Sequence, residues 1–243
     1  MHKLFLTLFL LFIFNAATAQ WTLDLEGGAA RFGYNDVRIP GNSGTLFSLS
    51  DDFDKSFTPF YRLRLQYTIG ERHAISALYA PFAVKSKGIS ASTIFFFFFL
   101  FKEDDPIHST WKFNSYRLSY QYNLIAKDKF IFGIGITGKI RDAKIELKNS
   151  TVSATKTNIG FVPLIRFYAD LTIAEKLHLI LDGDALVAKQ GRAEDVLFAI
   201  GYNPLQRLRL KLGYRILEGG ADNEEVYNFS SVHYLSAGIS YTF

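Results

Sequence analysis

Arg207-Leu208-Arg209-Leu210-Lys211-Leu212-Gly213-Tyr214-Arg215-Ile216 alternates charged or small residues with large apolar ones, position by position. Successive side chains of a β-strand leave opposite faces, so a repeat of two gives this segment one apolar face and one mostly charged face. Two environments suit such a strand. In a soluble sandwich the apolar face packs on a second sheet. In a barrel that spans a bilayer it meets hydrocarbon, while the charged face lines the interior.

The alternation recurs along the chain. Tyr61, Leu63, Leu65, Tyr67 and Ile69 interleave with Arg62, Arg64, Gln66 and Thr68, and Tyr116, Leu118, Tyr120, Tyr122 and Leu124 with Arg117, Ser119, Gln121 and Asn123. Ile159, Phe161, Ile165, Phe167 and Leu171 share a face opposite Asn158, Arg166, Tyr168 and Asp170, and Leu177, Leu179 and Leu181 alternate with His178, Ile180 and Asp182. Pro163 interrupts the third of these sets and cannot donate to a ladder, which predicts a bulge there. Repetition over so many long segments favours the barrel over the sandwich.

The predicted strands cover 21–32, 57–69, 73–84, 110–124, 130–147, 157–173, 177–188, 195–202, 207–217 and 231–243. Short connections at 70–72, 125–129, 174–176 and 203–206 alternate with longer ones at 33–56, 85–109, 148–156 and 218–230. Only a modest loop around Gln190-Gly191-Arg192 breaks this rhythm. The pattern predicts an all-β fold, a closed antiparallel transmembrane β-barrel of about ten strands, with eight and twelve as the neighbouring alternatives. Tight turns then lie on the periplasmic side with both termini, and longer loops lie outside.

At the amino end His2 and Lys3 precede an apolar run from Leu4 to Phe14, and Ala17 and Ala19 frame a cut before Gln20. That is the plan of a cleaved signal peptide over residues 1–19, leaving 20–243 as the barrel, and the run is too short for a membrane anchor. With no cysteine, a lipoprotein anchor, disulfides and thiolate metal sites are excluded. Lys and Arg number 27 against 23 Asp and Glu, a balance that does not suit a nucleic-acid partner. Phe, Tyr and Trp make up 16% of the chain, many of them in the alternating stretches.

Leu235, Ala237, Ile239, Tyr241 and the final Phe243 share one face of the last segment. Here the sequence resembles the outer-membrane β-barrel proteins of Gram-negative bacteria, as a pattern over 20–243 and without matching a particular member. The resemblance implies location in the outer membrane, among its lipid and lipopolysaccharide. It also implies recognition of the last strand, ending in Phe243, by the barrel-assembly machinery.

With the polar faces turned inward, the lumen holds Asp24, Glu26, Arg62, Arg64, Arg117, Lys139, Arg141, Arg166, Asp170, His178, Asp182, Asp184, Arg207, Arg209, Lys211 and Arg215. A barrel of this size is narrow, so a charge network is expected, with Asp24 and Glu26 beside Arg62 and Arg64. A basic constriction for anionic solutes is the alternative and needs an open lumen. His178, Asp182 and Asp184 are spread along a strand, which argues against a metal site. The outer rim offers Asp51, Asp52, Asp104, Asp105, His108 and His233 without a protease motif, and no phosphate loop, nucleophile elbow or zinc helix is present. The expectation is therefore a non-enzymatic barrel without cofactor, catalytic or metal site, in a structural or surface-interaction role. A narrow porin-like channel and an outer-membrane hydrolase are the alternatives. Phe95 to Phe101 lacks alternation and falls in an expected outer loop, as an apolar loop, a strand extension or a low-complexity accident.

Overall fold

The computed structural model describes residues 20–54, 56–189 and 191–243. The predicted signal peptide, 1–19, lies outside the described residues. The strands are β1 Gln20–Arg38, β2 Phe47–Ser48, β3 Thr58–Ile69, β4 His73–Ala80, β5 Ala83–Ile89, β6 Ile94–Phe96, β7 Phe99–Phe101, β8 Pro106–Lys127, β9 Phe130–Lys148, β10 Ser153–Ala174, β11 Leu177–Ala188, β12 Gly191–Leu205, β13 Leu208–Asp222 and β14 Tyr227–Thr242. β4 and β5 both pair with β8 and form one stave interrupted at Pro81-Phe82. Among the described residues this gives ten antiparallel staves, and β14 pairs back onto β1 from Thr22↔Thr242 to Arg38↔Tyr227 to close the barrel. Toward the tight turns every stave is thereby paired on both sides.

The tight turns at 70–72, 128–129, 175–176 and 206–207 share one end, with the start of β1 and the end of β14. At the other end most staves run further than predicted. The expected long connections at 148–156 and 218–230 shrink to 149–152 and 223–226, because β9, β10, β13 and β14 keep pairing beyond the amphipathic part of their sequence. Only 39–57 and 90–105 remain as long loops. The bulge expected at Pro163 is absent. The ladder of β10 with β9 passes Pro163↔Gly138 without a shift, whereas the ladder with β11 extends no further than Ile165↔Ala185.

Alternation decides which side chains face which way. Leu63, Leu65, Leu118, Ile136, Ile140, Ile165, Phe198, Ile200, Leu212 and Leu235 are exposed on the outside, while Arg62, Arg117, Lys139, Arg166 and Arg215 are buried inside. Aromatic rings border the apolar belt. Trp21 and Tyr67 meet near the tight turns at 4.6 Å between centroids, and Tyr79 stacks on Tyr116 further up at 5.3 Å. Above Ile140 the outward positions of β8 and β9 turn polar, at Lys112, Asn114, Asp142, Lys144 and Glu146. The belt therefore has two edges, as a surface facing hydrocarbon requires. Gly28 meets a local need in β1: its φ is 151°, and a Cβ there would come within 2.1 Å of the Leu235 carbonyl oxygen.

The two long loops fold together over one side of the loop end. Ile39, Phe47, Leu49 and Phe53 from the first and Ile94, Phe96 and Phe101 from the second pack on Val37, Val84, Ile107, Trp111, Ile145, Leu147, Val232 and Tyr234 of the staves. Backbone bonds from Thr45 to Phe95 and from Phe97 to Ile39 tie the loops together. The phenylalanine run is thus a hairpin, with β6 and β7 joined through Phe97 and Phe98 at positive φ. Phe96 and Phe101 are fully buried as its anchors, and Phe98 is exposed at its tip.

Candidate functional site

Period-two alternation on β1, β3, β8, β11, β12 and β13 aims charged side chains at one level of the lumen. Asp195 on β12 is the hub. It accepts from Arg62 Nη2 at 2.9 Å, from Arg215 Nη1 at 2.6 Å and from Arg117 Nη2. Arg117 also reaches Asp184 at 2.7 Å, and Arg215 holds Glu26 through a two-point contact at 2.7 and 2.8 Å. Thr137 donates to the second Asp184 oxygen at 2.6 Å, and Ser115 accepts from Arg117 Nε at 2.9 Å. Arg62, Arg117, Arg215, Asp184, Asp195 and Glu26 are all buried. Ions removed from water in this way are tolerable only when each is paired and hydrogen-bonded, and these are.

Below this layer, toward the tight turns, Asp182 is shared by Arg64, at 2.7 Å, and Arg166. Lys211 and Ser240 donate to Asp24. Asp170 joins Arg209 at 2.6 Å and His178 at 2.8 Å, and Asn203 bridges His178 and Arg209. Asp24 and Glu26 do lie directly across β1 and β3 from Arg64 and Arg62. Their ion-pair partners, however, are Lys211 and Arg215 on β13, because direct cross-strand neighbours extend side by side into the lumen while the long β13 side chains reach over.

Two vestibules flank the ionic layer. One, of about 920 Å³, opens at the tight turns and is lined by Arg64, Arg166, Asp170, Asp182 and Lys211 among others. The other, of about 880 Å³, opens at the loop end over Phe113, Lys139, Arg141, Leu186 and Leu217. They share no lining residue, and Arg62, Arg117, Asp184, Asp195, Arg215 and Glu26 line neither.

A closed antiparallel barrel with an apolar belt and a polar lumen is an architecture found in solved structures. The outer membrane protease OmpT of Escherichia coli matches with a TM-score of 0.60 at 10% identity, over 92% of this chain and 97% of that one. An outer membrane channel from Pseudomonas putida F1 matches at 0.48 and 10% identity, over 93% and 96%. Ail, the attachment invasion locus protein of Yersinia pestis, bound to a heparin analogue, matches at 0.44 and 10% identity, over 92% and 99%. The fold is that of the bacterial outer-membrane β-barrel proteins. No protein-family model and no curated protein matches the sequence.

Two sequence readings need correction within this outer-membrane barrel fold. Arg207 falls outside the network, because β13 begins only at Leu208 and leaves Arg207 exposed in the preceding turn, at the mouth of the first vestibule. Asp195 is the first residue of the predicted strand 195–202 and stands outside the expected lumen set, whereas β12 begins at Gly191 and carries it well within the sheet. The outward phase of Val196, Phe198, Ile200 and Tyr202 already marks Asp195 as inward. His178 is held by Asp170 and Asn203, apart from the Asp184 that belongs to the central layer, and among the described residues no group of three or more acids and histidines is placed to hold a metal. At the rim, Asp52 accepts from the Ser48 N–H and Asp105 from the Lys102 N–H and the Asn149 amide. His233 bonds the Tyr214 hydroxyl, 2.6 Å away.

Proposed function

We propose that this chain is a non-enzymatic integral protein of the outer membrane, closed to solutes through its lumen and working through its surface at the loop end. The observation that carries this reading is the three-arginine contact on Asp195, at a level of the lumen that neither vestibule reaches. The tight turns would face the periplasm, after export by the amino-terminal signal and insertion by the barrel-assembly machinery through the strand ending in Phe243.

The outward face just above the belt supports lipid and lipopolysaccharide as neighbours. Lys112 and Lys144 stand in register across β8 and β9 two outward positions above Tyr116 and Ile140, and Lys87, His108 and Lys148 stand in register across β5, β8 and β9 two outward positions higher. Cations standing above the apolar surface can meet anionic headgroups there. Planar-bilayer recording tests the closed lumen: the expected result is no discrete conductance from the inserted protein. Reproducible channels with anion preference would instead establish the narrow pore, and hydrolysis of a peptide or lipid lost on Asp104→Asn or Asp105→Asn would establish the hydrolase.

A further inference from the structure

The vestibule at the loop end contains a charge imbalance that the ionic layer does not share. Five cations line it, Lys139, Arg141, Lys144, Lys156 and Arg192. Lys144 pairs with Glu146, Lys156 with Glu225, and Arg192 with Glu218. The remaining two stand on the floor with no carboxylate in ion-pair contact. Lys139 is only 2% exposed and has the Phe113 ring 4.6 Å from its ammonium as its close contact. Arg141 donates to the side-chain oxygen of Asn158, and its Nε is buried with no partner. A buried cation left without an anion is costly, so Lys139, with the half-buried Arg141 next to it on the same face, marks a place for a ligand's negative charge.

The walls above the floor are apolar over a large part, with Ile39, Ile145, Val162, Leu186, Leu217 and Val226. A volume of about 880 Å³ lies within the range of small-molecule sites. The side wall is incomplete. β10 pairs with β11 only from Ile165 to the turn, so β10 above Ile165 bonds β9 alone and β11 above Ala185 bonds β12 alone. Phe161, Val162 and Pro163 on one side and Leu186 and Ala188 on the other line the cavity at this notch. Ile159, Phe161 and Val187 point outward around it and are exposed, and Phe161 stands in register with Ile140, the last apolar residue of the β9 belt. The notch therefore starts below the belt's upper edge and opens toward hydrocarbon.

We infer that the loop-end vestibule binds a long-chain carboxylate, whose acyl tail passes through the notch between β10 and β11 while its head is held by Lys139 and Arg141. This rests on the membrane reading above, and it adds a lipid-side ligand to a barrel closed to aqueous solutes. The head would complete the hydrogen bonding of Arg141 and neutralise the Lys139 ammonium. The tail would replace water against the apolar walls.

The test uses the full barrel in phosphatidylcholine vesicles, with hexadecanoate probes carrying a photoreactive diazirine near either end and a hexadecanol probe of the same length. The head-end diazirine should label near Phe113 and Lys139, and the tail-end diazirine near Phe161, Val162 and Leu186. Lys139→Met or Arg141→Gln should lower carboxylate labelling by about tenfold, the scale of one charge-assisted hydrogen bond, while Lys139→Arg retains it. Equal labelling by the alcohol, labelling confined to outward belt residues, or indifference to both substitutions overturns the inference. Protease protection in the same vesicles reads insertion separately. A protein that inserts but is not labelled sinks this inference alone, and one that never inserts sinks the membrane reading with it.

Discussion

The ionic layer and the apolar cap hold two levels of the same barrel together by opposite chemistry. The layer is made of side chains on regular staves, and its atoms are fixed by directional bonds to Asp195, Asp184 and Glu26. The cap is made of loop residues such as Phe47, Phe96 and Phe101, whose contacts are non-directional and rest on shape and burial. The layer would therefore fail abruptly when one member is lost, because the partners left behind are buried charges. The cap would fail gradually and locally, since each lost ring leaves a cavity that neighbours can partly fill.

The largest expected effect comes from Asp195→Ala, which leaves Arg62, Arg117 and Arg215 without their shared carboxylate. It should destabilise the barrel by about 3 to 5 kcal/mol in reversible denaturant unfolding from lipid vesicles. A loss below about 1 kcal/mol would mean that water already solvates the layer. Next is Phe96→Ala, at about 3 kcal/mol for an emptied ring site, felt in the cap. Limited proteolysis should show cutting within 39–57 and 90–105 while the barrel body stays intact, and Phe98→Ala at the exposed hairpin tip should change neither readout. Cleavage of the barrel body in Phe96→Ala would show that cap and layer are one cooperative unit.

The wall supplies the reference for both. Leu212→Arg puts a guanidinium on the outward face a few residues above the tight turn, and about 2 kcal/mol is expected because the site lies short of the midplane. An unchanged stability would place this face in water. The smallest effect belongs to the Lys112 and Asp142 pair above the belt, where the hydrogen bond from Lys112 holds the Asp142 carboxyl below the usual carboxylate range. A lowered carboxyl contributes stability that is complete above the unfolded carboxylate range and disappears as pH falls through the lowered value. Asp142→Asn should thus cost less than about 1 kcal/mol at neutral pH, with the difference from the parent vanishing in acid. A difference that persists in acid would assign the effect to packing.

The wall and most of the layer were legible in the sequence, and the cap was not. Strand phase follows from a repeat of two, so Arg62, Arg117, Arg166, Asp184 and Arg215 could be turned inward before any coordinates. Their partners could not be chosen, because the reach of a long arginine across a lumen depends on barrel curvature rather than on sequence spacing. Glu26 shows this: its neighbour in register is Arg62, yet it binds Arg215. Arg207 was misplaced because alternation continues into a turn that has already left the sheet. The cap residues come from aperiodic loops, and nothing local distinguishes buried Phe96 from exposed Phe98. The notch was legible only as Pro163, whose missing N–H was read as a bulge where a seam in fact opens.

The pairing of β1 with β14 carries a kinetic consequence. The Thr22 and Thr242 hydroxyls meet at 3.0 Å across a separation of 220 residues. No hoop forms until the last stave docks on the first, so the slow event in folding is a single closure over almost the whole contour of the polypeptide. The same adjacency makes the order of the staves cyclic. Joining 243 to 20 through a short flexible linker and opening the chain at 128–129 should give a circular permutant with the same wall, in which the final docking joins β8 to β9.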